Sequence, residues 1–225
     1  MSPEVAVALL VWGVFVGVDL VSLPQMMIAR PLVGGTVAGA MVGDIETGLK
    51  LGVIFELLQY DILPVGAVRY PEYGPATIAA VATAHASAGA LGLGLGAVVG
   101  LVTALAGGVT IHLLRRVNSR AVRAAAARLE SGDAGALVRV HVAALARDAA
   151  RAALVTAFGL ALASLGRPFL SGILTLQGAT LLALAAVGAA LAAGAVGTLR
   201  LVGRGPSLAW FVAGLGGGVV VAWLR

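Results

Sequence analysis

Seven charged side chains lie in an otherwise apolar, glycine-rich stretch between Arg30 and Pro75. They are Asp44, Glu46, Lys50, Glu56, Asp61, Arg69 and Glu72. Carboxylates accept several hydrogen bonds at once, and hydrogen bonds to a charged group are the strong ones. Such a set could replace the water around the hydroxyls of a sugar, or it could take part in proton or cation coupling. The residue types therefore indicate a site for a small polar solute and leave the solute open.

The composition indicates that this site lies in a membrane. Of the 225 residues, 60% are hydrophobic and 11% are charged, whereas soluble globular chains carry about 25% charged residues. So few charges cannot cover the surface of a soluble domain of this length. We therefore predict an all-α polytopic membrane protein, a setting in which ionisable groups are costly and usually functional.

The apolar pieces around these charges are too short to cross a bilayer. Residues 31–43 and 48–60 make 13 residues each, against about 20 for a spanning helix. Short segments interrupted by Gly or Pro are typical of half-helices around the binding site of a transporter. Because residues i and i+3 share a helix face, Glu56 and Gln59 should project together, and Asp61 follows them where this helix ends.

Glycines recur at four-residue spacing, which favours close helix contact in a membrane. One series is Gly35, Gly39 and Gly43, and a second begins at Gly48 and Gly52. A longer strip consists of Gly92, Gly96, Gly100, Ala104 and Gly108. A sliding surface is one interpretation of this strip, but ordinary tight packing is the preferred one.

We interpret the chain as one membrane-embedded domain with five parts. Residues 1–29 hold a first transmembrane helix and a break at Pro24, and Asp19 near the end of that helix could face a polar cavity or lie at headgroup level. The other parts are a re-entrant region over 30–76, a Gly-rich transmembrane region over 77–114, a basic segment over 115–151 and C-terminal transmembrane helices over 152–225.

The basic segment holds eight of the fifteen Lys and Arg residues. Apolar spans flank it, so the positive-inside rule predicts that it is cytoplasmic. Val122, Ala126 and Leu129 would share one face of an amphipathic helix resting on the inner leaflet, although a docking surface for a cytoplasmic partner is also open. Nucleic acid is not expected as a partner, since the aromatic residues are too scattered to stack bases.

No enzyme signature is present in the sequence. It has no cysteine, no G-x-x-x-x-G-K-[ST] phosphate loop and no G-x-S-x-G nucleophile elbow. His85, His112 and His141 are too far apart in sequence to form a zinc motif. We predict no catalytic residue, no cofactor and no metal.

The order of residues from Arg30 to Leu57 is more specific than their types. The run R-P-L-V-x-x-T-V-x-G-x-x-x-G-D-I-E-T-G-L-K-L-G-x-x-F-E-L resembles the membrane subunit IIC of the mannose/fructose/sorbose family of the bacterial phosphotransferase system. The resemblance continues through residues 65–67 and Pro71-Glu72. It recurs more loosely at Arg116, Asn118, Gly132-Asp133, His141 and Arg151.

This resemblance implies a multi-pass subunit of the bacterial inner membrane that translocates a hexose-like sugar. Its expected partners are a IID-like membrane subunit and the cytoplasmic IIA and IIB phosphocarriers, within an oligomeric assembly. IIA and IIB would carry out phosphoryl transfer, so the IIC chain is not an enzyme by itself. Carried over by motif, the sugar path points to Glu56 first, and then to Asp44, Thr47 and Glu72.

Two segments depart from the family pattern, residues 22–27 and residues 59–64. Both should lie near the sugar, which adds Gln25, Gln59 and Asp61 to the candidate site. Two alternatives stay open. One is an ion-coupled secondary transporter of a small solute, and the other is a non-transporting scaffold or sensor derived from the same family.

Overall fold

The computed structural model describes residues 1–60, 62, 68–85, 87, 89–202, 209–210 and 212–214, apart from the side chains of 167 and 197–202. Within these residues the regular structure is entirely helical, as predicted. The helices are α1 (Pro3–Asp19), α2 (Pro31–Val42), α3 (Ile45–Gln59), α4 (Tyr73–Ala84), α5 (Gly89–Ala124), α6 (Ala126–Glu130), α7 (Ala134–Ala161), α8 (Arg167–Ile173) and α9 (Leu176–Val202).

In the described part of the chain, three helical stretches are long and apolar enough to cross a membrane. They cover Gly89–Ala124, Ala134–Ile173 and Leu176–Val196. The second of them consists of α7 and α8, which a π-helical turn at Leu162–Gly166 joins. This confirms the prediction of a polytopic helical membrane protein.

Short helices pack between the long ones. α2, α3 and α4 contain 12, 15 and 12 residues, which makes them about 18–23 Å long, against ~30 Å of hydrocarbon. α2 ends at Gly43, whose φ of 77° is left-handed, and Asp44 then caps α3. The polar run over residues 44–48 by itself predicts a turn of that length. The turn is shorter because the Asp44 carboxylate already accepts the N–H of Thr47, so the helix begins at Ile45.

α2 and α3 form a hairpin whose backbones touch. A Cβ on Gly39 would lie 2.9 Å from Gly48 Cα, and one on Gly35 would lie 2.8 Å from the Gly48 carbonyl oxygen. The predicted glycine faces therefore meet each other. Gly43 does not belong to this face, since it is the left-handed cap of α2.

α4 is the centre of the fold. Every residue of this helix is buried, and it packs against α1, α2, α3, α5 and α7. A Cβ on Gly96 of α5 would lie 2.8 Å from the Ala80 carbonyl oxygen, and the Phe55 ring of α3 covers Gly100. The glycine strip of α5 is thus a packing surface, which agrees with the preferred interpretation. The largest fully buried apolar side chains are Phe55, Leu9, Leu51, Ile78 and Leu95.

The basic segment differs from the single amphipathic helix that its sequence suggested. α5 continues without a break to Ala124, because the segment up to that point contains no Gly or Pro and is rich in good helix formers. The short α6 and the left-handed Gly132 follow, and Asp133 then caps α7 through the N–H of Ala136. The segment therefore consists of the ends of two long helices and the turn between them.

The hairpin contact predicts that Gly48 tolerates no side chain. In Gly48→Ala the new methyl group would meet the backbone of α2, so we expect a loss of about 1–3 kcal/mol of unfolding free energy. Gly188→Ala is the matched control, since a Cβ there meets nothing within 4 Å. It should be neutral or stabilise by up to ~1 kcal/mol. Unfolding of the purified variants in detergent measures both, and equal effects would contradict the backbone contact.

Candidate functional site

The end of α1, the start of α2, the end of α3 and the start of α4 meet at one end of the bundle, beside α7, and we call this the polar end. It comprises the residues around Asp19, Arg30, Glu56, Glu72 and Arg151. Asp19, at the end of α1, is 3% exposed. Its carboxylate accepts the N–H groups of Met26 at 2.6 Å and Ala29 at 3.0 Å. It therefore fixes the loop between α1 and α2.

Arg30 and Glu56 form an ion pair where α2 begins and α3 approaches its end. The second carboxylate oxygen of Glu56 accepts the N–H of Leu32 at 3.1 Å, a group in the first helical turn that has no partner within the helix. The Arg30 side chain is 42% exposed and the Glu56 side chain 16%. Glu56 thus stabilises the start of α2 and remains accessible from outside.

Gln59 and Gln25 lie in different surroundings. Gln59 is half-buried and lines a small cleft with Leu20, Tyr70 and Pro71. Gln25 is exposed and has a positive φ of 60°. It opens onto a cavity of about 690 Å³ whose other polar residues include Ser22, Arg115 and Asn118. Asp61 lies outside the described residues.

Asp44 and Thr47 lie at the other end of α3. The Asp44 side chain accepts the N–H of Thr47 at 3.0 Å, as an N-cap residue does. Twelve residues separate Asp44 from Glu56, which corresponds to about 18 Å along a helix. The structure therefore does not bring these two carboxylates together.

Glu72 belongs to a buried ion network that the sequence reasoning missed. Its side chain is 0% exposed, and one of its oxygens pairs with the Arg151 guanidinium of α7 at 2.5 Å. Arg151 also pairs with Asp148 at 2.8 Å and donates to the Gly17 carbonyl at 3.1 Å. Arg151 had been counted only as part of the basic segment. The sequence places Asp148 and Arg151 three residues apart, just before the chain becomes apolar again. This spacing could have indicated a buried ion pair.

Two further features adapt the fold to this network. The Ser22 hydroxyl donates to the second oxygen of Asp148 at 2.5 Å. Gly107 of α5 leaves room for Glu72, because a Cβ there would lie 2.6 Å from the paired carboxylate oxygen. The other Glu72 oxygen is buried without a hydrogen-bond partner in the described part of the chain. The network connects α1, the start of α4 and α7.

A family model described as the sorbose-specific IIC component of the phosphotransferase system matches residues 5–217. The chain belongs to this IIC family. Its curated relatives include the mannose-specific EIIC component of Escherichia coli K12, which is 28% identical over 132 residues, or 59% of this chain and 49% of the relative. The sorbose-specific EIIC component of Lacticaseibacillus casei is 28% identical over 67% of this chain and 53% of its own length.

The chain thus spans about half the length of the curated relatives it matches. Two solved structures share its fold. One, titled as a membrane protein, has a TM-score of 0.77 at 21% identity and covers 100% of this chain and 95% of its own. The other is the mannose transporter ManYZ in complex with microcin E492, with a TM-score of 0.58 at 22% identity over 97% of this chain and 87% of the solved one. The family resemblance that the Arg30–Leu57 motif carried is confirmed.

The buried network predicts a large stability effect at Arg151 of this IIC chain. Arg151→Met leaves Glu72 and Asp148 buried without their partner, and breaking such a pair costs about 3–5 kcal/mol. Arg139→Met is the control on the same helix. It removes the ion pair with Asp133, in which the Arg139 side chain is 65% exposed and the Asp133 side chain 37%. Such an exposed pair contributes ~1 kcal/mol or less to stability. Unfolding in detergent compares the two, and similar losses would contradict a structural role for Arg151.

Asp44 could act only as the N-cap of α3 or could also contact a solute, and two substitutions distinguish these roles. Asn is as good an N-cap as Asp, whereas Ala loses about 1 kcal/mol. We therefore expect Asp44→Asn to keep wild-type stability and Asp44→Ala to lower it by about that amount, again by unfolding in detergent. If Asp44 acts only as a cap, transport activity follows stability in both variants. A loss of transport in the stable Asp44→Asn variant would instead show a direct contact with the solute.

Proposed function

We propose that this IIC chain binds a hexose-like sugar around Glu56 and moves it across the bacterial inner membrane. In this proposal it works beside a IID-like subunit, while cytoplasmic IIA and IIB proteins supply the phosphate. The names of its relatives support a sugar of this class, since they are called mannose-specific, sorbose-specific and, in Bacillus subtilis, a fructose permease component.

The observation that carries the proposal is the accessible ion pair of Glu56 and Arg30 at the meeting of two half-helices. Because the Arg30 side chain is 42% exposed, water screens this pair and keeps its contribution to stability modest, so that a ligand can replace it. A sugar offers several hydroxyl donors, which the Glu56 carboxylate can accept, and several oxygens, to which Arg30 can donate. Gln59, three residues after Glu56, would add an amide donor and acceptor.

The buried pair of Glu72 and Arg151 has the opposite property. Opening it would leave a charge without its partner, at a cost of about 3–5 kcal/mol. We therefore assign Glu72 a positioning role for the loop that faces Gln59, and we do not place it in direct contact with the sugar. Asp44 and Thr47 would belong to the other end of the path.

The positive-inside rule gives the proposal an orientation. Arg115, the first residue of the basic segment, donates to the Val68 carbonyl at 2.9 Å and to the Tyr70 hydroxyl at 3.1 Å. The polar end therefore lies beside the basic segment. With that segment in the cytoplasm, a sugar at Glu56 is close to the compartment in which IIB would phosphorylate it.

Glu56→Gln in the reconstituted complex with a IID-like subunit tests the proposal. The charge-assisted bonds that this change removes contribute about 1.5–3 kcal/mol, which is about 10- to 150-fold in sugar affinity. Glu46→Gln is the matched control, because Glu46 lies on the same helix and forms an exposed pair with Lys50. It should bind and transport as the wild type does. The measurements are sugar binding and phosphoenolpyruvate-dependent uptake.

Wild-type affinity and uptake in Glu56→Gln would remove Glu56 from the site. Uptake that follows an ion gradient and delivers unphosphorylated solute would contradict the phosphotransferase role. Binding of phosphotransferase proteins without any sugar flux would indicate a scaffold instead of a transporter.

A further inference from the structure

A groove of about 390 Å³ lies between α5 and the loop that precedes α4, and neither Glu56 nor Arg30 lines it. Its apolar part is formed by Leu105, Val109 and Leu113, which repeat every four residues and so share one face of α5. These side chains are 55%, 62% and 51% exposed. They extend over about 12 Å, close to the ~15 Å hydrocarbon depth of one leaflet.

The other end of the groove is basic. Arg69, His112 and Arg116 line it, and the two arginines have no hydrogen-bond or ion-pair partner in the described part of the chain. The Nε2 atom of His112 is buried and also lacks a partner there. Both arginines lie close enough to His112 to act on it electrostatically. Among the described lining residues none is acidic, so these positive charges are not neutralised by the protein.

The loop wall of the groove is held in place. Arg115 donates to the Val68 carbonyl and to the Tyr70 hydroxyl, and its guanidinium lies 5.4 Å from the centre of the Tyr70 ring. A Cβ on Gly108 would meet the Tyr70 carbonyl, so the bare backbone of α5 at this position lets the loop approach. The groove is therefore a formed feature of the fold.

We propose that this groove binds an anionic phospholipid. Arg69, Arg116 and the Nε2 of His112 would hold the phosphate, and an acyl chain would lie along Leu105, Val109 and Leu113. α5 changes from apolar to basic at Arg115, which marks the bilayer boundary at the same height as the headgroup end. Basic pockets at such a boundary bind anionic headgroups. A zwitterionic headgroup carries the same phosphate but also brings an ammonium group beside it, which would add a positive charge next to the two guanidinium groups.

Native mass spectrometry of the purified full chain in detergent tests this inference. The probes are phosphatidylglycerol and phosphatidylcholine with identical acyl chains. Phosphatidylglycerol should remain bound preferentially. Arg116→Gln should weaken its binding about fivefold and Arg69→Gln plus Arg116→Gln about 30-fold, as expected for one and two basic groups near an anionic surface. Arg120→Gln, one turn further along α5 and also exposed, should change binding by less than about twofold.

Four results would overturn the proposal. Equal retention of the two lipids would show that the groove does not select an anionic headgroup, and equal losses in Arg116→Gln and Arg120→Gln would show unspecific attraction. Displacement of the lipid by glycerol phosphate, beyond a sodium chloride control of equal ionic strength, would show a site for a soluble phosphate. Retained solubility and unfolding temperature in phosphatidylcholine show that the variants are folded.

Because the sequence has no cysteine, Val109→Cys introduces a single reactive thiol on the apolar face of the groove. Efficient cross-linking of this position to another protein subunit in membranes would also contradict a lipid occupant.

Discussion

The buried pair of Arg151 and Glu72 is the interaction on which the arrangement of this membrane protein depends. An unpaired charge at such a place costs several kcal/mol, so α7 and the start of α4 must come together. α4 is buried along its whole length, and the pair fixes where that helix begins. The same guanidinium group reaches Asp148 and the Gly17 carbonyl of α1. One side chain therefore positions the helices against which the short α2–α3 hairpin packs.

Short helices that end inside a membrane protein create a second requirement, because backbone groups cannot turn to water there. Three carboxylates meet this need. Asp19 accepts two N–H groups of the loop before α2, Glu56 accepts one from the first turn of α2, and Asp44 accepts one from α3. Two of the charged residues that drew attention to this stretch, Asp44 and Glu56, thus hold its helix ends. In the function proposed above, Glu56 would add solute binding to this structural role, since its partner Arg30 is 42% exposed.

The sequence was sufficient for features that depend on local pattern. Glycines at four-residue spacing predicted a face for close helix contact on each of α2 and α3, and short apolar pieces between charges predicted the short helices. Pattern could not predict contacts between distant residues. Arg151 and Glu72 are 79 residues apart in the chain. Periodicity shows which face of a helix is apolar or glycine-rich, but it does not show which other helix packs against that face. A run of arginines also resembles a solvated surface, which hid the one arginine that is buried.

The two ends of α3 constrain any path for a solute. Asp44 and Glu56 are about 18 Å apart along α3, so a solute bound at Glu56, as proposed above, would have to travel along the hairpin to leave on the other side. It cannot pass between α2 and α3, where glycine backbones touch. The outer face of α3 carries Ile45, Leu49 and Val53, which are 55%, 45% and 43% exposed. The described residues do not cover this face, and in the function proposed above a IID-like subunit would supply a second wall for a path along it.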